Sequence, residues 1–148
     1  VDGVVGKVRE IGLRSSKIET RDDESLIIPN SKLVTEKVTN WSHENPMARF
    51  GIKVGVAYGS GVKLGTRLLL QSLEDQTKVL KTPAPAVFFR DFGESSLDFE
   101  LLFYSEETFR IERIKSEIRY RIVALFRENG VQIPFPQRDV WFRSKPQA

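Results

Sequence analysis

The first 45 or so residues place apolar side chains in short, interrupted runs. Gly6, Val8, Ile11 and Leu13 mark a first strand. Val8 and Ile11 are an odd number of residues apart, which puts them on opposite faces of a regular strand. A bulge near Arg9-Glu10 restores a common face and bends the strand. Ile18 and Thr20 fall in a second strand, "RDDES" is a polar turn, and Leu26-Ile27-Ile28 form a third strand stopped by Pro29. Asn30 or Ser31 is placed to cap one helical turn holding Leu33. The Thr-bearing run from Val34 to Ser42 reads as a fourth strand. Short strands with tight turns predict a small, strongly bent all-β unit of the miniature-barrel kind.

The polar "SHENPM" segment, closed by Pro46, is the expected boundary. Beyond it the period changes. Phe50, Ile52, Val54, Val56 and Tyr58 alternate strictly and predict a half-buried strand. A helix is predicted from about Val62 to Gln76, with Val62, Leu69 and Leu73 on one face. Strands follow at about Ala86 to Phe92 and, after "DFGESS", on an inward face of Leu97, Phe99, Leu101 and Phe103. Ile111, Ile114, Ile118, Ile122 and Leu125 then recur at helical spacing between Thr108 and Asn129. Gly130 is a C-cap signal, and Ile133 is expected to complete the sheet. Strand–helix–strand–strand–helix–strand is the split βαβ, ferredoxin-like plan. With both helices on one face, the other face stays wet. Arg49, Gly51, Lys53, Gly55 and Ala57 then look outward beside Ser96, Asp98 and Glu100. Cross-strand ion pairs worth a few tenths of a kcal/mol each account for such a face; a solute-lining role is the alternative.

Composition narrows the choice of chemistry. The 148 residues hold one ordinary domain or two small ones. No apolar run approaches the roughly 18 residues of a membrane span, and no secretory or transit signal is present. Met47 is the only methionine and the chain starts at Val1, so it is expected to be a piece of a longer protein. The absence of cysteine excludes disulfides and thiolate metal sites. Asn40-Trp41-Ser42 spells a glycosylation sequon, read here as a strand end. A net charge of +3 and a pI near 9.3 permit contact with anionic partners without requiring it.

Motif tests exclude several activities. In Gly59-Ser60-Gly61-Val62-Lys63-Leu64-Gly65, Leu64 holds the place where a dinucleotide fingerprint needs Gly or Ala, and no phosphate-loop ending follows. The segment is a glycine-lined helix entry. Asp91-Phe92-Gly93 lacks every other kinase element and is a hairpin turn. His43 has no companion for a metal set or triad. Asp22-Asp23 and Glu106-Glu107 sit where carboxylates solvate a turn or favour a helix dipole. No enzyme, cofactor or metal site is expected. RNA binding is weighed because small barrels and split βαβ sheets both serve in RNA-binding modules. An RNA-reading sheet shows aromatics on its open face; here Phe99 and Phe103 point inward and Asp98 and Glu100 outward. "DFGESSLDFELLF" also departs from the aromatic-basic pattern, so nucleic acid is not an expected partner.

The stretch "GKVREIGLRSSKIETRDDESLIIPNSKL" closely resembles the central β domain of the MscS-like mechanosensitive ion channels. The residues that carry the resemblance are Gly6, Val8, Ile11, Leu13-Arg14, Thr20, Ile28-Pro29-Asn30 and Leu33, with Asn40-Trp41-Ser42 after them. "SSK" stands where a Thr-containing stretch is more usual. "IPFPQRDVWF" resembles the segment that joins the family's α/β domain to its terminal strand. The resemblance implies a multi-domain α+β chain. Residues 1–46 would be a small Sm-like bent β-barrel, 47–134 a ferredoxin-like α/β domain, and 135–148 a strand of an intersubunit β-barrel. It also implies a homoheptameric cage on the cytoplasmic side of the membrane, with side portals that admit ions and small solutes to a tension-gated pore. Transmembrane helices are expected before Val1.

Two sets of residues follow from that reading. Pro134 and Pro136 fix an extended exit. Beyond it Val140 and Phe142 alternate with Asp139, Trp141 and Arg143, a lone strand that is unstable without neighbours. Val140, Trp141 and Phe142 are therefore expected at a subunit interface. Arg49, Lys53 and Arg143 are expected to face solute. An RNA-binding module is the alternative from another class, and a ligand-sensing regulatory cage is a second.

Overall fold

The computed structural model describes residues 3–35 and 47–144. The elements run β1 (Gly6–Ile11), β2 (Ser15–Thr20), β3 (Ser25–Pro29), α1 (Asn30–Thr35), β4 (Ala48–Val56), α2 (Val62–Gln71), β5 (Ala86–Phe92), β6 (Leu97–Ser105) and α3 (Ile111–Glu128). They build two antiparallel three-stranded sheets, ordered β1-β2-β3 and β4-β6-β5, so the chain is α+β. No helix among the described residues is long and apolar enough to cross a membrane.

In the first sheet the bulge lies where the odd spacing of Val8 and Ile11 demands one. Val8 pairs with Ile18 and Glu10 with Lys17, leaving Arg9 as the extra residue. Ile11 then falls opposite Ser16, so Val8 and Ile11 share the face of Ser16 and Ile18. The polar turn after β2 puts Asp23 at φ 63°, a region open to Asp at small cost. Its hydrogen bonds are Thr20 N–H to Glu24 O (2.9 Å) and Asp23 N–H to Thr20 O (3.2 Å). Asn30 does more than start α1. Its backbone N–H donates to Arg14 O (2.8 Å), and its side-chain amide donates to Gly12 O (2.9 Å). Its amide oxygen accepts from the buried Ser16 hydroxyl (2.7 Å). Both ends of the side chain are thus committed to the β1–β2 hairpin. Val34 and Thr35 belong to α1 and do not open a fourth strand. The rest of that expected strand, the Asn40-Trp41-Ser42 sequon, His43 and the expected boundary at Pro46 lie outside the described residues.

The second sheet carries the core. Ile52, Val54 and Val56 of β4 and Leu97, Phe99, Leu101 and Phe103 of β6 point to one side. There they meet Leu68, Leu69 and Leu73 and the Ile111, Ile114, Ile118, Ile122, Leu125 stripe of α3. Both helices therefore cover one face. Helix α2 is shorter than its apolar spacing predicts. The Ser72 hydroxyl bonds back to Leu69 O (2.5 Å), and tighter three-residue turns carry the chain from Leu73 to Gln76. Leu73 still reaches the core, whereas Val62 is exposed at the helix entry. Helix α3 stops at a Schellman motif. Gly130 takes φ +70°, and the N–H of the buried Val131 returns to Phe126 O (2.9 Å).

Beyond Val131 the expected last sheet strand is not formed. Residues 131–142 run without regular structure. One bond, Ala57 N–H to Gln132 O (2.8 Å), attaches them to the end of β4, and Ile133 is half exposed. Pro134 and Pro136 have no N–H to donate, so a ladder cannot propagate through them.

Candidate functional site

The wet face of the second sheet is built by strand register. Arg49 lies opposite Tyr104, Gly51 opposite Leu102, Lys53 opposite Glu100 and Gly55 opposite Asp98. Arg49 and Lys53 are exposed, and the alternation that buries Ile52, Val54 and Val56 puts both on this face. Glu100 sits between Lys53 on β4 and Phe88 on β5. The hydrogen bonds that Glu100 accepts come from Arg90 of β5, through Nε (3.1 Å) and Nη2 (2.9 Å). Arg90 also lies over the Phe88 ring, 4.7 Å from its centroid. Arg90 lies two residues beyond Phe88, so strand alternation puts it on this face, and the β5 register shift between Phe89 and Asp91 then sets Asp91 opposite Asp98. The sequence places the basic partner of Glu100 on β4, whereas the structure draws it from the opposite strand.

Gly51 belongs to this site for a steric reason. A Cβ there would sit 2.9 Å from Glu100 Oε2 and 3.1 Å from Leu102 Cδ2. Both side chains lean over the vacant position, and Leu102 is buried although it faces outward. The alternation of β6 hides this, because Leu101, Leu102 and Phe103 form one continuous apolar run.

The exit segment forms the second half of the candidate site. Tyr58 donates to Gly93 O (2.5 Å), and Gln137 N–H donates to Ser95 Oγ (2.9 Å). The first bond ties the end of β4 to the β5–β6 turn and the second ties the exit to it, beside a cavity of about 410 Å³ lined by Ala57, Tyr58, Gln132, Ile133, Phe135 and Gln137, among others. Past it, Val140, Trp141 and Phe142 are exposed, Trp141 at 89%. Arg143 lies on this segment too, off the sheet that carries Arg49 and Lys53. Two of the three predicted solute-facing cations are thus brought together and the third is not.

A charged cluster that the sequence does not reveal joins the two sheets' units. Arg110, just before α3, donates through Nη2 to Glu19 (2.7 Å) and Asp23 (2.6 Å). Arg113 reaches Asp23 (3.1 Å), and Arg9 donates to Glu19. The Arg9 hydrogen bond leads in holding Glu19 below its ordinary range, with Arg110 adding to it. Arg110 does the same for Asp23, with Arg113 behind it. In return, Asp23 and Glu19 raise Arg110. The partners stand 87 to 91 residues apart, so no local spacing announces them. Among the described residues no group of three metal-ligating side chains converges.

Comparison with known proteins bears on the same two units. The family description "Mechanosensitive ion channel, beta-domain" matches residues 1–43. "Mechanosensitive ion channel MscS, C-terminal" matches residues 50–133. The mechanosensitive channel MscK of Escherichia coli is 38% identical over 135 residues, covering 91% of this chain and 12% of MscK. A Haemophilus influenzae protein known only as an MscS family member is 38% identical over 144 residues, covering 97% of this chain and 13% of its own length. The crystal structure of Helicobacter pylori MscS in its closed state superposes with a TM-score of 0.76 at 24% identity. It covers 98% of this chain and 57% of that one, and supports the fold. The chain therefore spans only a small part of the first two relatives.

Proposed function

The chain belongs to the MscS family of mechanosensitive ion channels, and from that premise we propose that it forms the cytoplasmic cage beneath a tension-gated pore. The observation that carries this reading is the pair of family matches, β-domain then C-terminal, in order along one chain. On this reading residues 1–46 form a small Sm-like barrel, 47–134 a ferredoxin-like domain, and 135–148 a strand that closes an intersubunit β-barrel. Seven copies assemble, side portals admit ions and small solutes, and the membrane is reached through parts of a longer protein.

The exposed Val140, Trp141 and Phe142 support the assembly, because a single chain leaves them in water. Symmetry-related copies pairing along this segment would close both edges. The mass of the chain in solution tests the proposal: about seven chains are expected. Removing Gln137 to Ala148 should weaken assembly while each subunit stays folded. A deletion variant that keeps the full oligomer mass, or that loses the subunit fold, overturns this division of labour.

The charges of the wet sheet face give a weak anion bias at most. Arg49, Lys53 and Arg90 share it with Asp98 and Glu100, and a cage wider than the ~8 Å Debye length screens its walls from its centre. Rings at a portal or at the terminal barrel act at shorter range. Reversal potentials of the full-length channel should shift slightly when Arg49, Lys53 and Arg143 are neutralised. No observation favours RNA binding, since Asp98 and Glu100 stand on the face that RNA would need.

A further inference from the structure

We propose that Arg110 and the acidic β2–β3 turn form a salt-sensitive latch that fixes the first sheet against the α/β unit. The inference rests on the two units of this chain and does not depend on the cage reading.

The apolar core explains why a latch is needed. Every member of the core cluster lies in the second unit, as do Phe50, Leu64 and Val87 packed against it. Ile18, the buried apolar residue of the first sheet, is not part of that core. The contacts described between the units run instead through charged side chains. Arg110 grips Glu19 and Asp23 at once, and Arg113 adds a second hold on Asp23. Lys7 of β1 lies over the Phe109 ring, 5.1 Å from its centroid. The start of α3 adds the partial positive charge of a helix N-terminus on the side where Asp23 docks.

Two features make the latch releasable. Asp23 and Arg113 remain largely in water, with side-chain exposures of 59% and 65%, so the ionic atmosphere reaches them. Arg110 Nη1 is shielded from solvent and has no acceptor among the described residues. Undocking returns that donor to water and offsets part of the lost pairing. Glu107 anchors the other side by accepting the Arg110 backbone N–H (3.0 Å), so Arg110 stays placed at the helix start when the turn lets go. Arg9 also pairs with Glu19, and Lys7 lies opposite Glu19 in the β1–β2 register.

The chain contains no cysteine, so spin labels can be placed at Lys17→Cys on β2 and Arg127→Cys on α3, both exposed sites. The labelled chain is diluted with unlabelled chain, and the distance distribution is read by double electron–electron resonance. It should be narrow at about 0.01 M salt and broaden at about 1 M, as the screening length falls from ~30 Å to ~3 Å. Arg110→Ala should be broad at both, whereas Arg119→Ala, an exposed arginine on the same helix, should match the parent. A narrow Arg110→Ala distribution, or a parent distribution indifferent to salt, overturns the proposal. Far-UV circular dichroism reports whether Arg110→Ala keeps its helices. Should it not, Asp23→Asn decides on the same criteria, since it alters only the turn.

Discussion

The two units of this chain contain similar side chains and use them in opposite ways. In the second, Phe99, Phe103 and Phe126 are sealed between a sheet and two helices, and the stripe of α3 isoleucines is buried throughout. In the first, Ile18 is buried while Val8, Ile11, Leu13, Ile27 and Val34 stand exposed. Hydrogen bonds and ion pairs hold the first unit where apolar packing holds the second. The described part of the first unit, a three-stranded sheet with one short helix, has too little area to hide its own apolar residues. The second unit is thus complete by itself, and the first presents surfaces that suit the assembly proposed above.

Attacking the complete unit gives the largest expected effect. Phe103→Ala removes a fully buried ring and should cost about 3–5 kcal/mol. Urea unfolding followed by circular dichroism measures it; a cost near that of a surface change would mean that the core is not where stability resides. In the first unit the corresponding weak point is polar. Asn30→Ala leaves the buried Ser16 hydroxyl without its acceptor and should cost about 1–3 kcal/mol. Hydrogen exchange should show the loss as faster exchange in β1 and β2, with α3 unchanged. Acceleration spread evenly over both units would erase the contrast between them.

Acid should separate the units with a smaller effect. Glu19 and Asp23 titrate below their ordinary ranges because arginines hold their charged forms. Their contribution to docking is therefore complete at neutral pH and is lost as pH falls below about 4. The same spin-label pair should broaden in that range, and Asp23→Asn should flatten the response. The smallest effect is expected at Ile27, whose side chain is exposed in the single chain. Ile27→Ser should change subunit stability by less than about 0.5 kcal/mol while lowering the oligomer mass. A large loss of subunit stability would place Ile27 in a core that the single chain does not show.

Much of the fold is legible because its signals are local. The alternation from Phe50 to Val56 and from Leu97 to Phe103 gives two strands and their buried faces. The spacing of Val8 and Ile11 locates a bulge, and Gly130 marks the end of a helix. The end of α2 is less visible: Leu73 prolongs the apolar period after Ser72 has already turned the backbone. Arg49 and Lys53 are readable as outward-facing, yet the partner of Glu100 is Arg90, which depends on which strand lies on its other side. Least visible is Arg110, whose carboxylates arrive from β2 and from the turn after it, 91 and 87 residues earlier. Nothing in the local sequence sets it apart from Arg113 or Arg119, which stand more exposed on the same helix.

The stitched exit has a mechanical consequence. Tension applied at Arg143 meets the Gln137–Ser95 bond first and the Gln132–Ala57 bond after it. These attachments load one after another, so the segment peels first from the β5–β6 turn and then from the end of β4, like tape. The stiff Pro134-Phe135-Pro136 rod separates the two, and the Schellman closure at Gly130 stands between the second and the core. Traction on the tail is therefore spent on weak outer fastenings before any of it reaches α3.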